Sequence, residues 1–171
     1  SHRRGPYANG AIVVPVKASE TLFGGLEKQR SLEKAAFECG GKNYTAPAQS
    51  INAFIEGKLD SSPLSSTTYP CGLLPSNLHE WFDKEIAESL AEGFLNFEKK
   101  IPGFINEGLI IAPETRTSSP LRIPRHPDTL ESLNTRGLFL LGEGAGYSGG
   151  IVTSAADGMR FAYRAKLSEK F

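Results

Sequence analysis

Between Gly142 and Gly150 five glycines fall within nine residues, Gly-Glu-Gly-Ala-Gly-Tyr-Ser-Gly-Gly, directly after the apolar run Leu138 to Leu141. Glycine permits positive φ and lets bare backbone come close to a ligand. The run before it has the length of a buried strand, and Ile151 onward has helical periodicity. The spacing therefore predicts a strand, a glycine turn and a helix whose free N–H groups favour an anionic or electron-rich group. Glu143, at the strand end, can accept hydrogen bonds from sugar or ribityl hydroxyls, or stand as a solvated loop carboxylate. Tyr147 can stack on a flat ring or shield the turn.

Read as a bare pattern, Gly144 to Gly149 matches the dinucleotide fingerprint G-x-G-x-x-G. That motif also needs a second parallel strand after the helix, ending in an acidic residue for the ribose. The chain ends at Phe171 as the helix finishes, so a complete ADP-binding unit is not the expectation. A strand, turn and helix that finish a sheet begun elsewhere is. A second concentration of chemistry is Glu114 to Arg125, with Arg116, Arg122, Arg125 and four hydroxyls. It can position an anionic group, or be an ordinary surface hairpin. Asp157, inside the helix, reads as a structural or surface carboxylate. His2, His79 and His126 are scattered, without metal spacing or triad partners, and read as surface histidines. Cys39 and Cys71 read as reduced thiols, and no metal site is expected.

The elements that must position these groups follow from periodicity and punctuation. Ala11 to Val16 is a β-rich run ended by Pro15, read as a strand. Leu26, Leu32, Ala35, Ala36 and Cys39 lie near helical spacing, and Gly40-Gly41 supplies a stop. Tyr44 to Gln49 reads as extended, Ile51 to Ile55 as a helical turn, and Asp60 to Pro70 as a Ser/Thr/Pro-rich loop. A helix capped by Ser76 or Asn77 is expected from Leu78 to Pro102-Gly103, carrying Trp81, Phe82, Ile86, Leu90, Phe94, Leu95 and Phe97 on one face. Gly108 to Thr117 and Pro120 to Arg125 suggest a hairpin. In the last helix Val152, Ala155, Ala156, Met159, Ala162 and Tyr163 form a stripe expected to pack on the sheet.

The 171 residues carry 19 basic and 19 acidic side chains. The balance offers no field to hold a polyanion, which argues against nucleic acid. No stretch is long and apolar enough to span a bilayer, so a soluble, cytoplasmic protein is expected. Met159 is the single methionine, which suggests a fragment or a processed piece.

Several stretches together resemble a known family. Tyr7-Ala-Asn, Leu32 to Phe37, Gly40 to Gln49, Lys100 to Phe104, Glu114 to Arg125 and Gly142 to Gly158 are similar, in order, to the C-terminal half of FAD-dependent, NAD(FAD)-utilising dehydrogenases. The most specific segments are Thr115-Arg-Thr-Ser-Ser-Pro and Gly142 to Ile151. The resemblance implies FAD as cofactor, with the dinucleotide fingerprint in an N-terminal half. Gly142, Glu143, Gly144, Gly146, Gly149, Gly150 and Ile151 would then line the cofactor, Glu143 near the ribityl or pyrophosphate region and the backbone of Gly149 to Ile151 near the isoalloxazine. It implies that Arg116, Ser118, Arg122 and Tyr147 face flavin or substrate, and that the helix N-terminus stabilises negative charge on the reduced ring.

The fold expectation is α+β, a piece of a two-lobe FAD-binding oxidoreductase. Residues 1–16 and 108–171 would belong to the FAD-binding lobe and 17–107 to an inserted substrate or cap lobe. The expected partners are the N-terminal FAD-binding half of the same protein and a small-molecule substrate. This piece alone would be inactive. The competing expectation is a non-catalytic ligand- or partner-binding module.

Overall fold

The computed structural model describes residues 5–17 and 19–168. It is an α+β structure whose described residues divide into two compact units. Among them the first comprises residues 5–17 and 30–115, the second residues 19–29 and 116–168.

The first unit is built on a three-stranded mixed sheet. Strand β1 (Ala46–Ser50) is central, parallel to β2 (Leu73–Pro75) and antiparallel to β3 (Leu109–Ile111). The helix α1 (Gly24–Cys39), whose chain passes from the second unit into the first, ends just before this sheet in a Schellman motif. Gly41 takes φ +83°, its N–H donates to the Glu38 carbonyl (3.2 Å), and the Lys42 N–H donates to the Phe37 carbonyl (2.9 Å). The Gly40-Gly41 stop is thus as the sequence indicates.

From β1 the chain turns directly into α2 (Ile51–Ile55), capped by the Ser50 hydroxyl, which accepts the Ala53 N–H at 3.1 Å. This short helix places Phe54 at the centre of the core, with Ile51, Leu78, Ala87 and Phe94. The Phe54 ring centroid lies 5.7 Å from Phe94 and 4.5 Å from His79. The helix expected to run from Leu78 is divided. Asn77 caps a 3-10 turn at Leu78–Glu80, and α3 spans Lys84–Glu98. The break lets Trp81 and Phe82 both turn toward the core instead of one facing outward. Beyond α3, the Glu98 carboxylate accepts the Gly103 and Ile105 N–H groups, which fixes the link to α4 (Phe104–Glu107). Those two bonds, Ile105 first, hold its pKa below the ordinary glutamate value.

Three expectations fail here. Ala11 to Val16 forms no strand: apolar β-branched residues favour extended chain, but a strand exists only with a hydrogen-bonded neighbour, and Pro15 lacks a donor. The hairpin is absent because β3 pairs with β1 and leaves residues 120–125 outside any sheet. His79 is no surface histidine, since its Nε2–H donates to the Phe54 carbonyl at 2.7 Å and its ring packs on Phe54. His2 lies outside the described residues.

Candidate functional site

In the second unit the glycine turn is held by the strip Ser119 to Arg125 on one side and by α5 (Ile151–Ser168) on the other. The turn itself is tight: the Gly146 N–H donates to the Glu143 carbonyl at 2.8 Å. The Ile123 N–H donates to the Ala145 carbonyl (3.2 Å), which buries Ala145 against the strip. Gly146 has φ +78°, and a Cβ there would lie 2.4 Å from the Leu121 carbonyl oxygen and 2.9 Å from the Arg122 Cα. Both obstacles are backbone, so only glycine fits.

The centre of this unit is an ion pair. The Arg125 guanidinium donates through Nη1 to Asp157 Oδ2 (2.7 Å) and through Nη2 to Asp157 Oδ1 (2.8 Å), a bidentate fork. The two side chains are 4% and 11% exposed, so solvent screens the pair little. Nη1 also donates to the Leu140 carbonyl (2.7 Å), while Asp157 Oδ2 accepts the Gly142 N–H (2.9 Å). The Arg125 hydrogen bond first, then the Gly142 N–H, hold the Asp157 carboxyl below the usual aspartate range against the opposing effect of burial. The same bond raises Arg125.

These contacts explain why Leu138 to Leu141 is not a strand. It makes a single antiparallel bridge, Phe139 with Glu131. At its end the Leu140 carbonyl and Gly142 amide, which a neighbouring strand would have bonded, are taken by the side chains of Arg125 and Asp157. Asp157 is therefore the structural carboxylate that the sequence allowed.

The expected site residues fall into two groups. Gly142 is buried at φ +75°, and Gly146 is wedged against the strip, so both serve the turn. Glu143, Gly144, Gly149 and Ile151 are exposed, and Gly150 is half-buried. Gly144 and Gly149 differ from Gly142 and Gly146, because a Cβ on either would meet nothing within 4 Å. Nothing described in this fold requires glycine there. Gly150 immediately precedes α5; its carbonyl accepts the Ser154 N–H at 2.9 Å, and its own N–H donates to the Thr153 hydroxyl at 3.2 Å. With glycine at this place there is no cap side chain to accept the N–H groups of Ile151 to Thr153, which have no partner within the helix and no side-chain acceptor among the described residues.

Tyr147 is committed to the protein. Its hydroxyl accepts the Arg125 N–H (3.2 Å), and the guanidiniums of Arg125 and Arg122 lie 3.8 and 4.4 Å from its ring centroid. Of the two alternatives for this ring, shielding the turn is the one the contacts support. Arg116 and Ser118 are exposed in the chain leading to the strip, and Arg122 is exposed above Tyr147. The residue that sequence reasoning undervalued is Arg125, counted only as one of three arginines. Its separation from Asp157 by 32 residues left no local signal.

The α5 stripe is also corrected. Val152, Ala155, Ala156, Met159, Ala162 and Tyr163 are exposed, Val152 by 80% and Met159 by 73%. The face turned inward is the one bearing Ser154, Asp157 and Phe161, because Asp157 must reach Arg125 and Phe161 packs on Phe139 with centroids 4.7 Å apart. Cys39 and Cys71 are free, no group of metal-ligating residues is found among the described residues, and no described helix is long and apolar enough to cross a membrane.

The family described as "FAD-dependent protein, C-terminal domain-like" matches residues 1–117, which carry the three-stranded sheet, and the chain belongs to that family. The matched span ends before the glycine turn. A relative in Clostridium beijerinckii (strain ATCC 51743 / NCIMB 8052), described as an uncharacterized protein, is 41% identical over 172 residues. The match takes in 96% of this chain, including the turn, but spans only 31% of the relative's length.

Proposed function

We propose that this chain completes the flavin site of an FAD-dependent oxidoreductase, with the glycine turn and the first turn of α5 as the surface toward the cofactor. One observation carries the reading. Gly144 and Gly149 are glycine where neither backbone conformation nor neighbouring atoms demand it, next to a helix start whose Ile151 to Thr153 N–H groups take no side-chain acceptor among the described residues. Bare backbone and free amides at one place suit a flat, polar-edged ring approached closely. Family membership supports FAD over other flat ligands.

In this reading Glu143, exposed at the turn, accepts hydroxyl hydrogen bonds from the ribityl chain, and the amides following Gly150 face the electron-rich edge of the ring. The flavin supplies hydride transfer when bound. Arg116, Ser118 and Arg122 present cationic and hydroxyl groups toward flavin or substrate. The exposed α5 stripe is the surface we assign to the N-terminal FAD-binding half of the same protein. The much greater length of the relative is consistent with such a half.

The test is made on the full-length protein. It should purify yellow, and Gly149→Val or Glu143→Ala should lower its flavin content without changing its unfolding transition. A colourless protein that takes up no added FAD sinks the oxidoreductase reading. Unchanged flavin content in both variants removes the turn from the site.

A further inference from the structure

The pair Arg125–Asp157 does more than join two side chains. It also holds two backbone groups either side of Leu141: the Leu140 carbonyl, through Arg125 Nη1, and the Gly142 N–H, through Asp157 Oδ2. They stand where the exposed part of the turn begins, just before Glu143. Asp157 also stands on the second turn of α5, so the carboxylate that holds Gly142 belongs to the helix whose start follows the turn. Both ends of Glu143 to Gly150 are therefore referred to one carboxylate. The outer side is steadied by the same arginine, whose backbone N–H and guanidinium engage Tyr147 in the middle of the segment.

From this arrangement we propose that Asp157, with Arg125, is a positioning residue for the cofactor surface, setting the path of Glu143 to Gly150 and the register of the α5 start against it. The inference rests on the flavin reading above. Neither side chain need touch the cofactor: each acts through Leu140, Gly142 and Tyr147. A simple structural role would stabilise the unit without affecting how a folded site meets its ligand. A positioning role predicts weaker, altered binding in protein that remains folded. Asp157→Asn keeps an acceptor for the Gly142 N–H but loses the charge that holds the fork. Arg125→Lys keeps the charge but cannot reach Asp157 and Leu140 with a planar fork.

The experiment uses the full-length protein, with FAD affinity, the absorption spectrum of bound flavin and amide hydrogen exchange read together. Both variants are expected to retain a cooperative unfolding transition, bind FAD about tenfold more weakly through the displaced turn, and shift the flavin band. Amides from Gly142 to Val152 should exchange faster, while those around Phe54 should not. Because the two residues act as a unit, the double variant should lose little more than either single one. Wild-type affinity and spectrum in a folded variant overturn the proposal, as does FAD loss that only parallels unfolding. A wild-type protein that takes up no FAD overturns the flavin reading instead. The positioning of the turn is then judged by exchange alone, and unchanged exchange at Gly142 to Val152 in both variants refutes it.

Discussion

At the centre of the first unit lies an aromatic ring, Phe54, fully buried among other apolar groups; at the centre of the second lies an ion pair, Arg125 with Asp157. The two solve different problems. Apolar contact is non-directional, so the first unit needs only side chains of suitable size and can place them on short, irregular elements. A bidentate pair with two further backbone bonds is directional. It specifies where Leu140, Gly142 and α5 stand, which an unladdered, glycine-rich segment cannot do for itself.

The comparison can be broken from either side. Phe54→Ala should cost the most, about 4 kcal/mol in denaturant unfolding, through lost burial and the cavity left behind. Asp157→Ala should cost about 3 kcal/mol, because it leaves Arg125 buried and unpaired and the Gly142 amide without an acceptor. Many buried pairs can be replaced by apolar residues at little cost. Here Arg125→Met with Asp157→Leu should recover little stability, since Leu140 and Gly142 would still lack partners. A double variant as stable as wild type would show that the pair is not needed by the turn.

The pair also gives the second unit a pH dependence that the apolar core lacks. The folded-state pKa of Asp157 is depressed, so its contribution is complete above the unfolded-state value of about 3.9. It is lost as pH falls from there through the lower folded value. Acid titration of Asp157→Asn should therefore show a shallower loss of stability below pH 4 than the wild type. Smaller effects calibrate the scale. Ser50→Ala removes the α2 cap and should cost about 1 kcal/mol. Glu88→Gln, which breaks an exposed pair with Lys84 on α3, should change stability by less than about 0.5 kcal/mol.

The local elements of the first unit were legible because they rest on local signals. The Gly40-Gly41 stop, most of the extended piece expected over Tyr44 to Gln49 and found as Ala46–Ser50, the turn at Ile51 to Ile55 and the irregular loop from Asp60 all follow from punctuation and spacing. What escaped was non-local. Strand β2 is three residues long and is defined only by pairing with β1. Gln49, which the sequence marks only as the end of an extended piece, is fully buried, donating to the Lys58 carbonyl and accepting the Leu78 N–H. The apolar stripe of α5 was visible, but periodicity gives a face without saying what covers it. In the described residues that face is turned out, because Asp157 and Phe161 fix the opposite one inward.

For the glycine turn the division is similar. By itself the sequence determined that backbone between Gly142 and Gly150 must be unusually bare and lead into a helix, since five glycines in nine residues have no other local use. Only the tertiary structure decided which glycines serve the fold and which leave space. Gly142 takes a left-handed conformation at the Asp157 bond and Gly146 meets the backbone of Leu121 and Arg122, whereas Gly144 and Gly149 face open space. That distinction depends on atoms more than ten residues away along the chain, brought there by an ion pair whose partners carry no sequence signal of each other.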